Sequence, residues 1–436
     1  MTRRPGVARP LLLILLALLY PFHRTVGGIN VSLGDGIVAL VCVLLLLVLA
    51  LRRVPLPRYL LPAGVLIVVI AVSLLVNTLA PPGSFFEPRA TLVELLKVFA
   101  VVAWMVSLCW LMGDDFPRRY LVWATASVLI ATGFAALTVY ENLFRHVERP
   151  AGPFENANLY GNYLMLNAFL AFGAYALLGE DRAGTAMGSP RALRGARGLF
   201  LLGALPVLAV GMMATGSRGT LLALFAGGVT LGRWRLPRPL RARQVAAVML
   251  GAAALATAVV WFLDQHPYLL HRLARTGSED PNVTERLALW RAARDAFFAN
   301  PVFGIGYGQF PAYAKLVHHL VPKVTHETYL SYAAELGLPG LAVFLWLLGA
   351  VVRDAHRASL AVGTALPRLC FAFLIATAVQ ALVNNVDQFR SLWIAVGMVA
   401  AMRTAAGPGV APSFRTRMRV SRPPAASRSA VASTAE

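Results

Sequence analysis

The sequence predicts an all-α polytopic membrane protein with about twelve transmembrane helices, and three observations carry that expectation. Of the 436 residues, 58% are hydrophobic and only 14% charged, whereas a water-facing globular surface needs roughly a quarter charged. The mean hydropathy is +0.65, which excludes disorder for most of the length. The apolar residues are gathered into long runs with short polar stretches between them. Net charge is +20, from 40 basic and 20 acidic residues. In a soluble protein that excess would point to nucleic acid. Here the basic residues lie between apolar runs, so a topological reading comes first and no nucleic-acid partner is expected.

Taken in order, the apolar segments fall at about 10–22, 29–51, 60–80, 92–112, 120–140, 158–178, 198–214, 219–231, 244–263, 327–352, 364–383 and 389–405. The first follows Met1, Thr2, Arg3 and Arg4 as a signal peptide would. It has no convincing small-x-small cleavage site before Tyr20-Pro21, and further spans follow, so it reads as a retained first helix. The seventh and eighth are short and joined only by Thr215 to Gly219; either the helices extend beyond these limits or the turn sits below the membrane surface. Cys42, Cys109 and Cys370 lie inside apolar runs, with no disulfide framework and no metal-ligand spacing.

Twelve spans put both termini on one side. With the N-terminus inside, the inner segments hold 26 basic residues and the short outer segments 7, the other 7 lying in one long connection, 264–326, where the positive-inside rule has little force. The expected organisation is a transmembrane domain over 1–405, a periplasmic loop over 264–326 inserted between the ninth and tenth helices, and a disordered basic cytoplasmic tail over 406–436 beside anionic lipid. Cytoplasmic arginines such as Arg52, Arg53, Arg233, Arg235 and Arg238 need only this topology.

The long connection is large enough to hold structure. Asn282 to Ala299 reads as an amphipathic helix, with Leu287, Trp290, Phe297 and Phe298 apolar and Arg286, Arg291, Arg294 and Asp295 polar. Asn300-Pro301 ends it. Gly304 to Gly308 (GIGYG) is a turn rather than a dinucleotide fingerprint, because no parallel-sheet context surrounds it. A second short helix is expected from Phe310 to His319. Lying over membrane helices, such a loop could form the lid of a cavity that opens to lipid.

Several polar residues need a reason. Arg218 sits in a tight connection between apolar runs. It either snorkels to the interface or binds an anion: Gly216 and Gly219 allow close backbone approach, Ser217 can cap the helix that starts near Gly219, and a helix N-terminus beside a guanidinium suits pyrophosphate. His326 precedes a long apolar run. With Thr325 as N-cap it would stand in the first helical turn, where the positive helix end and nearby arginines keep the ring neutral and able to accept a proton from a hydroxyl. Glu327 opposes that shift or orients the ring; the alternative is a surface histidine without a role. His318-His319 resembles a metal pair only superficially, and no metal or other cofactor is expected. Asn156, Asn158, Tyr160 and Asn162 crowd an outer helix entrance. Capping explains Asn156 or Asn158 but not the whole set; amides with aromatics suit sugar hydroxyls, while tyrosine anchoring at the interface is the plainer alternative. Asn384 to Arg390 (NNVDQFR) is a second polar cluster on the same side, with Asp387 and Arg390 spaced to pair. Together these residues suggest a polar or anionic ligand reached from outside, without identifying a reaction.

The order of these motifs is more specific than any one of them. GPFENANLYG from Gly152 to Gly161 is followed by TGSRG from Thr215 to Gly219. Then come Glu285, Arg286, Leu287 and Trp290 leading into NPVFGIGYG from Asn300 to Gly308, and finally His326 ahead of Tyr329, Glu335, Gly337 and Gly340. In this the chain resembles the O-antigen ligase and Wzy-like polymerase superfamily. The resemblance implies a glycosyltransferase C-type fold in the bacterial inner membrane, with an active site facing the periplasm. It implies transfer of O-antigen from undecaprenyl-pyrophosphate, the donor, to a sugar hydroxyl of lipid A–core, the acceptor, with inversion and without metal or ATP, completing lipopolysaccharide. By motif, Arg218 corresponds to an arginine on the pyrophosphate, Arg286 to the loop arginine that completes that site, and His326 to the general base. Asn156, Asn158, Tyr160, Arg291, Tyr329, Asn384, Asp387 and Arg390 are the expected substrate contacts. Many relatives carry Asn directly after the histidine, where this chain has Glu327. An O-antigen polymerase or a periplasmic protein O-oligosaccharyltransferase would share the donor and differ in acceptor. A transporter or flippase would need paired polar residues deep in the spans, where this sequence has few charges.

Overall fold

A computed structural model describes residues 8–26, 29–51, 56–79, 86–147, 149–180, 191–232, 281–360 and 365–406, together with positions 257, 261, 264 and 265. The expected ninth span, 244–263, and the basic tail beyond 406 lie outside the described residues. The chain is an all-α, multi-pass membrane protein. Its helices are α1 (Ala8–Leu19), α2 (Leu33–Leu51), α3 (Leu60–Thr78), α4 (Pro88–Met112), α5 (Phe116–Arg145), α6 (Ala157–Glu180), α7 (Arg191–Ala214), α8 (Arg218–Gly232), α9 (Pro281–Ala299), α10 (Phe310–His318), α11 (Thr328–Leu360), α12 (Ala365–Gln380) and α13 (Arg390–Ala406). Six of them, α3 to α7 and α11, are long and apolar enough to cross a membrane, while α1, α2, α8 and α12 are shorter apolar helices.

One element departs from the expected all-helical order. Pro21 ends the first apolar run, and His23–Val26 (β1) pairs antiparallel with Ile29–Ser32 (β2), His23 opposite Ser32 and Val26 opposite Ile29. The expected span from 29 therefore starts at Leu33. The signal was present as β-branched residues on both sides of Gly27-Gly28, masked by the apolar run that follows. The N–H of Ser32 donates to Asp35 Oδ2 at 2.9 Å and opens α2.

The main core joins α1, α2, α4 to α8 and α11 to α13, with Trp104, Trp123, Trp393, Tyr120 and Tyr160 fully buried in it. At the opposite end of α11 from Thr328, Asp354 is buried and ties three elements: it accepts Tyr59 Oη at 2.5 Å, pairs with Arg403 at 2.8 Å and binds Arg58.

A smaller core is built from residues 289–334. Leu289, Ala292, Ala293 and Ala296 of α9 pack with Ile305, Phe310, Tyr313, Ala314 and Ala334. This corrects the expected apolar face of α9. Leu287 and Phe298 are exposed, at 39% and 70%, and Trp290 and Phe297 are half-buried. Leu289 and the three alanines form the i, i+3, i+4, i+7 stripe, and the small alanine side chains let α9 lie close to α11. Residues 301–306 are also locked to α11 through their backbone. Gly337 breaks that helix with φ 66 and ψ −164. Around the break, Ile305 N donates to Ala334 O at 3.0 Å, Gly306 N to Glu335 O at 3.0 Å, and Leu338 N to Pro301 O at 2.8 Å. A Cβ on Gly304 would strike the Glu335 backbone, and one on Gly337 would lie 2.5 Å from Val302 O.

Gly337→Ala should therefore lower stability by about 2–4 kcal/mol, since a side chain meets both positive φ and two carbonyls. Gly349→Ala, a helical position with nothing within 4 Å of a new Cβ, should be neutral or slightly stabilising. Thermal unfolding of the two purified variants in detergent compares them directly; equal midpoints would remove the interlock.

Candidate active site

The N-terminal parts of α8, α9 and α11 meet at one turn, residues 381–386, between α12 and α13. Thr328, the first residue of α11, makes the junction. Its N–H donates to Ala381 O at 2.8 Å, and its hydroxyl donates to Asn384 O at 2.7 Å while accepting the N–H of Val386 at 2.9 Å. From α9, Arg286 Nη1 donates to Val383 O at 3.0 Å. From α8, Gly219 is so close that a Cβ would lie 2.5 Å from Asn384 Nδ2 and 3.0 Å from Val383 Cγ2. Arg218, the first residue of α8, is half-buried beside that contact. The Gly219 next to it is thus required by the approach of Asn384.

His326 is brought to the same place by another route. Trp290 Nε1, one turn along α9 from Arg286, donates to Thr325 O at 3.0 Å. His326 then takes a left-handed backbone, φ 54. This corrects its expected position: it lies before α11, not in the first turn, and Thr325 is not the cap. Thr325 Oγ1 instead donates to Glu327 O at 2.7 Å, closing a tight turn. The helix is capped by Glu327, whose carboxylate accepts the N–H of Tyr329 at 3.2 Å and that of Leu330. Burial raises the Glu327 carboxyl above the ordinary range, opposed by those two backbone donors.

The imidazole of His326 is pushed down to about 4. Burial is the largest cause, followed by the Arg286 guanidinium and the Lys323 ammonium, with Glu285 opposing. Lys323 and Glu285 form an ion pair at 2.6 Å. The ring is therefore neutral across the physiological range, as expected, though desolvation and neighbouring cations do this rather than a helix dipole.

The other expected contacts separate into two groups. Asn158 is half-buried, and its Oδ1 accepts Ser217 Oγ at 2.9 Å, beside Arg218. Asn384 is buried in the turn itself, and Tyr329 is half-buried with its hydroxyl on Ala378 O at 3.0 Å. These three stand at the junction. The rest do not. Asn156 is the cap of α6, its Oδ1 accepting the N–H of Asn158 at 2.8 Å and of Leu159 at 3.2 Å. Tyr160 is fully buried, shares a hydrogen bond with Thr138 at 2.9 Å and stacks on Phe154. Arg291 is exposed on α9, five residues and hence about 140° round the helix from Arg286. Asp387 is buried and accepts Tyr307 Oη at 3.4 Å. Arg390 reaches across to Asp35 of α2 rather than to Asp387, with Nε to Oδ1 at 2.8 Å and Nη2 to Oδ2 at 2.5 Å. His318 packs on Tyr313 and His319 is the left-handed residue ending α10. Among the described residues no three His, Cys, Asp or Glu side chains are gathered as a metal-ligand set.

Sequence reasoning missed Thr328, Val383 and Trp290 as the residues that join these parts. A threonine at a helix start and a backbone carbonyl carry no pattern that marks them.

In chemical terms the junction offers two half-buried guanidinium-bearing residues, Arg218 and Arg286, on neighbouring elements, with a neutral imidazole on the side of Arg286. That combination suits an anion next to a group that must lose a proton. Residues 203–345, about a third of the chain, match the family model described as O-antigen ligase. Arg218, Arg286 and His326 all fall within the matched stretch. No curated protein matches the chain significantly. The junction's two arginines and its histidine thus lie in a stretch that is similar to the O-antigen ligase family.

Proposed function

We propose that the protein is an O-antigen ligase acting at the periplasmic face of the bacterial inner membrane, with about twelve spans and both termini in the cytoplasm. It transfers a glycan from undecaprenyl-pyrophosphate to a sugar hydroxyl of lipid A–core. The observation that carries this reading is the meeting of the α8, α9 and α11 ends at the 381–386 turn. Within the matched family stretch, it is there that Arg218, Arg286 and His326 stand.

Arg218 and Arg286 hold the pyrophosphate and stabilise the charge that grows on it as the bond from the anomeric carbon to the phosphate oxygen breaks. The acceptor hydroxyl attacks that carbon from the opposite side, which inverts it. Its proton passes to the neutral ring of His326 as the new C–O bond forms. The leaving group is undecaprenyl pyrophosphate, already stable as an anion, so no nucleophilic side chain is required. A ring held near 4 is a weak base in the free site. Pyrophosphate brings negative charge beside it, offsets Arg286 and Lys323, and raises the imidazole toward the range where it accepts a proton best.

The acceptor distinguishes the ligase from its nearest alternatives. With purified protein and carrier-linked glycan, transfer should go to lipid A–core and not to a second carrier-linked glycan or to a pilin-like peptide. Transfer to either of the latter would make the protein a polymerase or an O-oligosaccharyltransferase with the same donor site.

Arg218→Lys should lower kcat/KM about 100-fold or more, because an ammonium does not reproduce a guanidinium fork on pyrophosphate. Near-normal turnover would mean that Arg218 only snorkels to the interface.

The pH dependence follows from the depressed imidazole. In the free protein, His326 stays neutral as pH falls and takes its proton only near about 4. Lys323→Ala removes one cation and frees Glu285, so the midpoint should move upward toward 6.5. NMR titration of labelled His326 measures both midpoints. A downward or absent shift in Lys323→Ala would refute the electrostatic account of the site.

A further inference from the structure

Below the junction, a line of side-chain hydrogen bonds crosses four helices, and its polarity is fixed along the whole length. Ser391 Oγ of α13 donates to Asn162 Oδ1 of α6. Asn162 Nδ2 donates to Gln380 Oε1 of α12 at 2.5 Å, and Gln380 Nε2 donates to Thr220 Oγ1 of α8 at 3.2 Å. Thr220 Oγ1 lies 2.9 Å from Ser217 Oγ, which donates to Asn158 Oδ1 at 2.9 Å. Since the single Ser217 hydrogen is committed to Asn158, the Thr220 hydroxyl is the donor to Ser217. Every member donates in the same direction, which is the arrangement in which each bond strengthens the next.

All members but the last are buried: Asn162, Thr220, Gln380 and Ser391 are 0% exposed and Ser217 is 1%. Asn158, half-buried, is the open end. The backbone makes room for the line at Gly161, where a Cβ would lie 2.8 Å from Thr220 Oγ1. Two amides and three hydroxyls are costly to bury in a membrane core unless all are paired, and leucines would fill the same volume. The line contributes position. It fixes the start of α8 against α6 and α12, and that start carries Arg218. It also fixes the rotamer of the Asn158 amide: with Oδ1 turned to Ser217, its other face offers only N–H donors.

We infer that Asn162, Gln380 and Thr220 are positioning residues for the donor site: they hold Arg218 in register and orient Asn158 so that its N–H groups meet the anionic oxygens of the bound carrier. This rests on the donor-site reading above and deepens it. Asn162, Gln380 and Ser391 lie outside the matched stretch 203–345.

The test uses the full-length protein in nanodiscs with undecaprenyl-pyrophosphate-linked glycan and lipid A–core. Thr220→Val is nearly isosteric and removes the central hydroxyl. It should raise the KM for donor about tenfold or more and lower kcat with it, since Arg218 also stabilises the transition state, while leaving the KM for acceptor within about twofold. Thr220→Ser, which keeps the hydroxyl, should restore donor KM. Asn158→Asp keeps the Ser217 bond but turns a carboxylate to the anion, and should weaken donor binding at least as much. If Thr220→Val unfolds, Asn158→Asp carries the test. Unchanged donor KM in Thr220→Val or in Asn158→Asp would overturn the inference, as would equal defects in Thr220→Val and Thr220→Ser. Arg218→Ala, measured beside them, separates the two levels. If it binds donor normally, the donor-site reading itself fails; if it binds weakly while Thr220→Val and Asn158→Asp bind normally, only the positioning inference fails.

Discussion

The hydroxyl of Thr328 holds the junction of α8, α9 and α11 together. It is fully buried, and with its own N–H it satisfies three backbone groups of the 381–386 turn. Each such bond is worth about 1 kcal/mol net, but a buried backbone group left without a partner costs about 1–3 kcal/mol, so the turn has little freedom to move. Arg286 from α9 and Gly219 from α8 both rest on that turn. Three helices separated widely in sequence are thereby referred to one short piece of backbone. Valine in place of Thr328 would keep the shape and leave a carbonyl and an N–H unpaired.

A second device holds residues 301–306 against α11. The Gly304 and Gly337 backbones pass within contact of each other's neighbours, and the break in α11 supplies two carbonyls and one N–H to residues 301–306. Glu335, buried at the break, accepts the N–H of Phe310 at 3.0 Å and so starts α10. The motif that reads Glu335, Leu336, Gly337 in the sequence thus has a mechanical meaning, independent of any ligand. The same holds for Glu327. Its carboxylate caps α11, and an asparagine at that position caps helices as well as an acid does. The departure from the resembled family at this residue therefore leaves the helix start served either way.

The membrane class was legible because it depends on totals and on runs, and long apolar helices at α3 to α7 and α11 follow directly from them. Arg218 was legible because a charge between two apolar runs demands an explanation. Asn156 was legible as a cap from its place before α6. What escaped depended on packing or on single backbone groups. The face of α9 was misread because large side chains were weighted over alanines, whereas Ala292, Ala293 and Ala296 make the contact. Tyr160 read as a substrate contact, or more plainly as an interface aromatic, yet Gly152 leaves space for its ring and places it in the core. His326 read as helical because Thr325 is a good cap residue; its side chain bonds within a turn instead. The Asn162–Gln380 bond joins residues 218 apart in sequence, and no local pattern announces such a pair.

The arginines fall at separate places in the fold. Arg403 and Arg58 are bound to Asp354 at the far end of α11, and Arg390 is bound to Asp35. Arg218, at the start of α8, and Arg286, on α9, stand at the 381–386 turn, and burial and cations, Arg286 among them, keep the His326 imidazole neutral. The central claim is that this junction is the carrier pyrophosphate site. An experimental structure of the protein in nanodiscs with undecaprenyl pyrophosphate tests it most directly. The account requires the diphosphate between the Arg218 and Arg286 guanidinium groups, with phosphate oxygens about 3 Å from each and the His326 ring facing the oxygen that carries the glycan. Diphosphate bound at the Arg58–Asp354–Arg403 end, or held at the outer face without either Arg218 or Arg286, would contradict it.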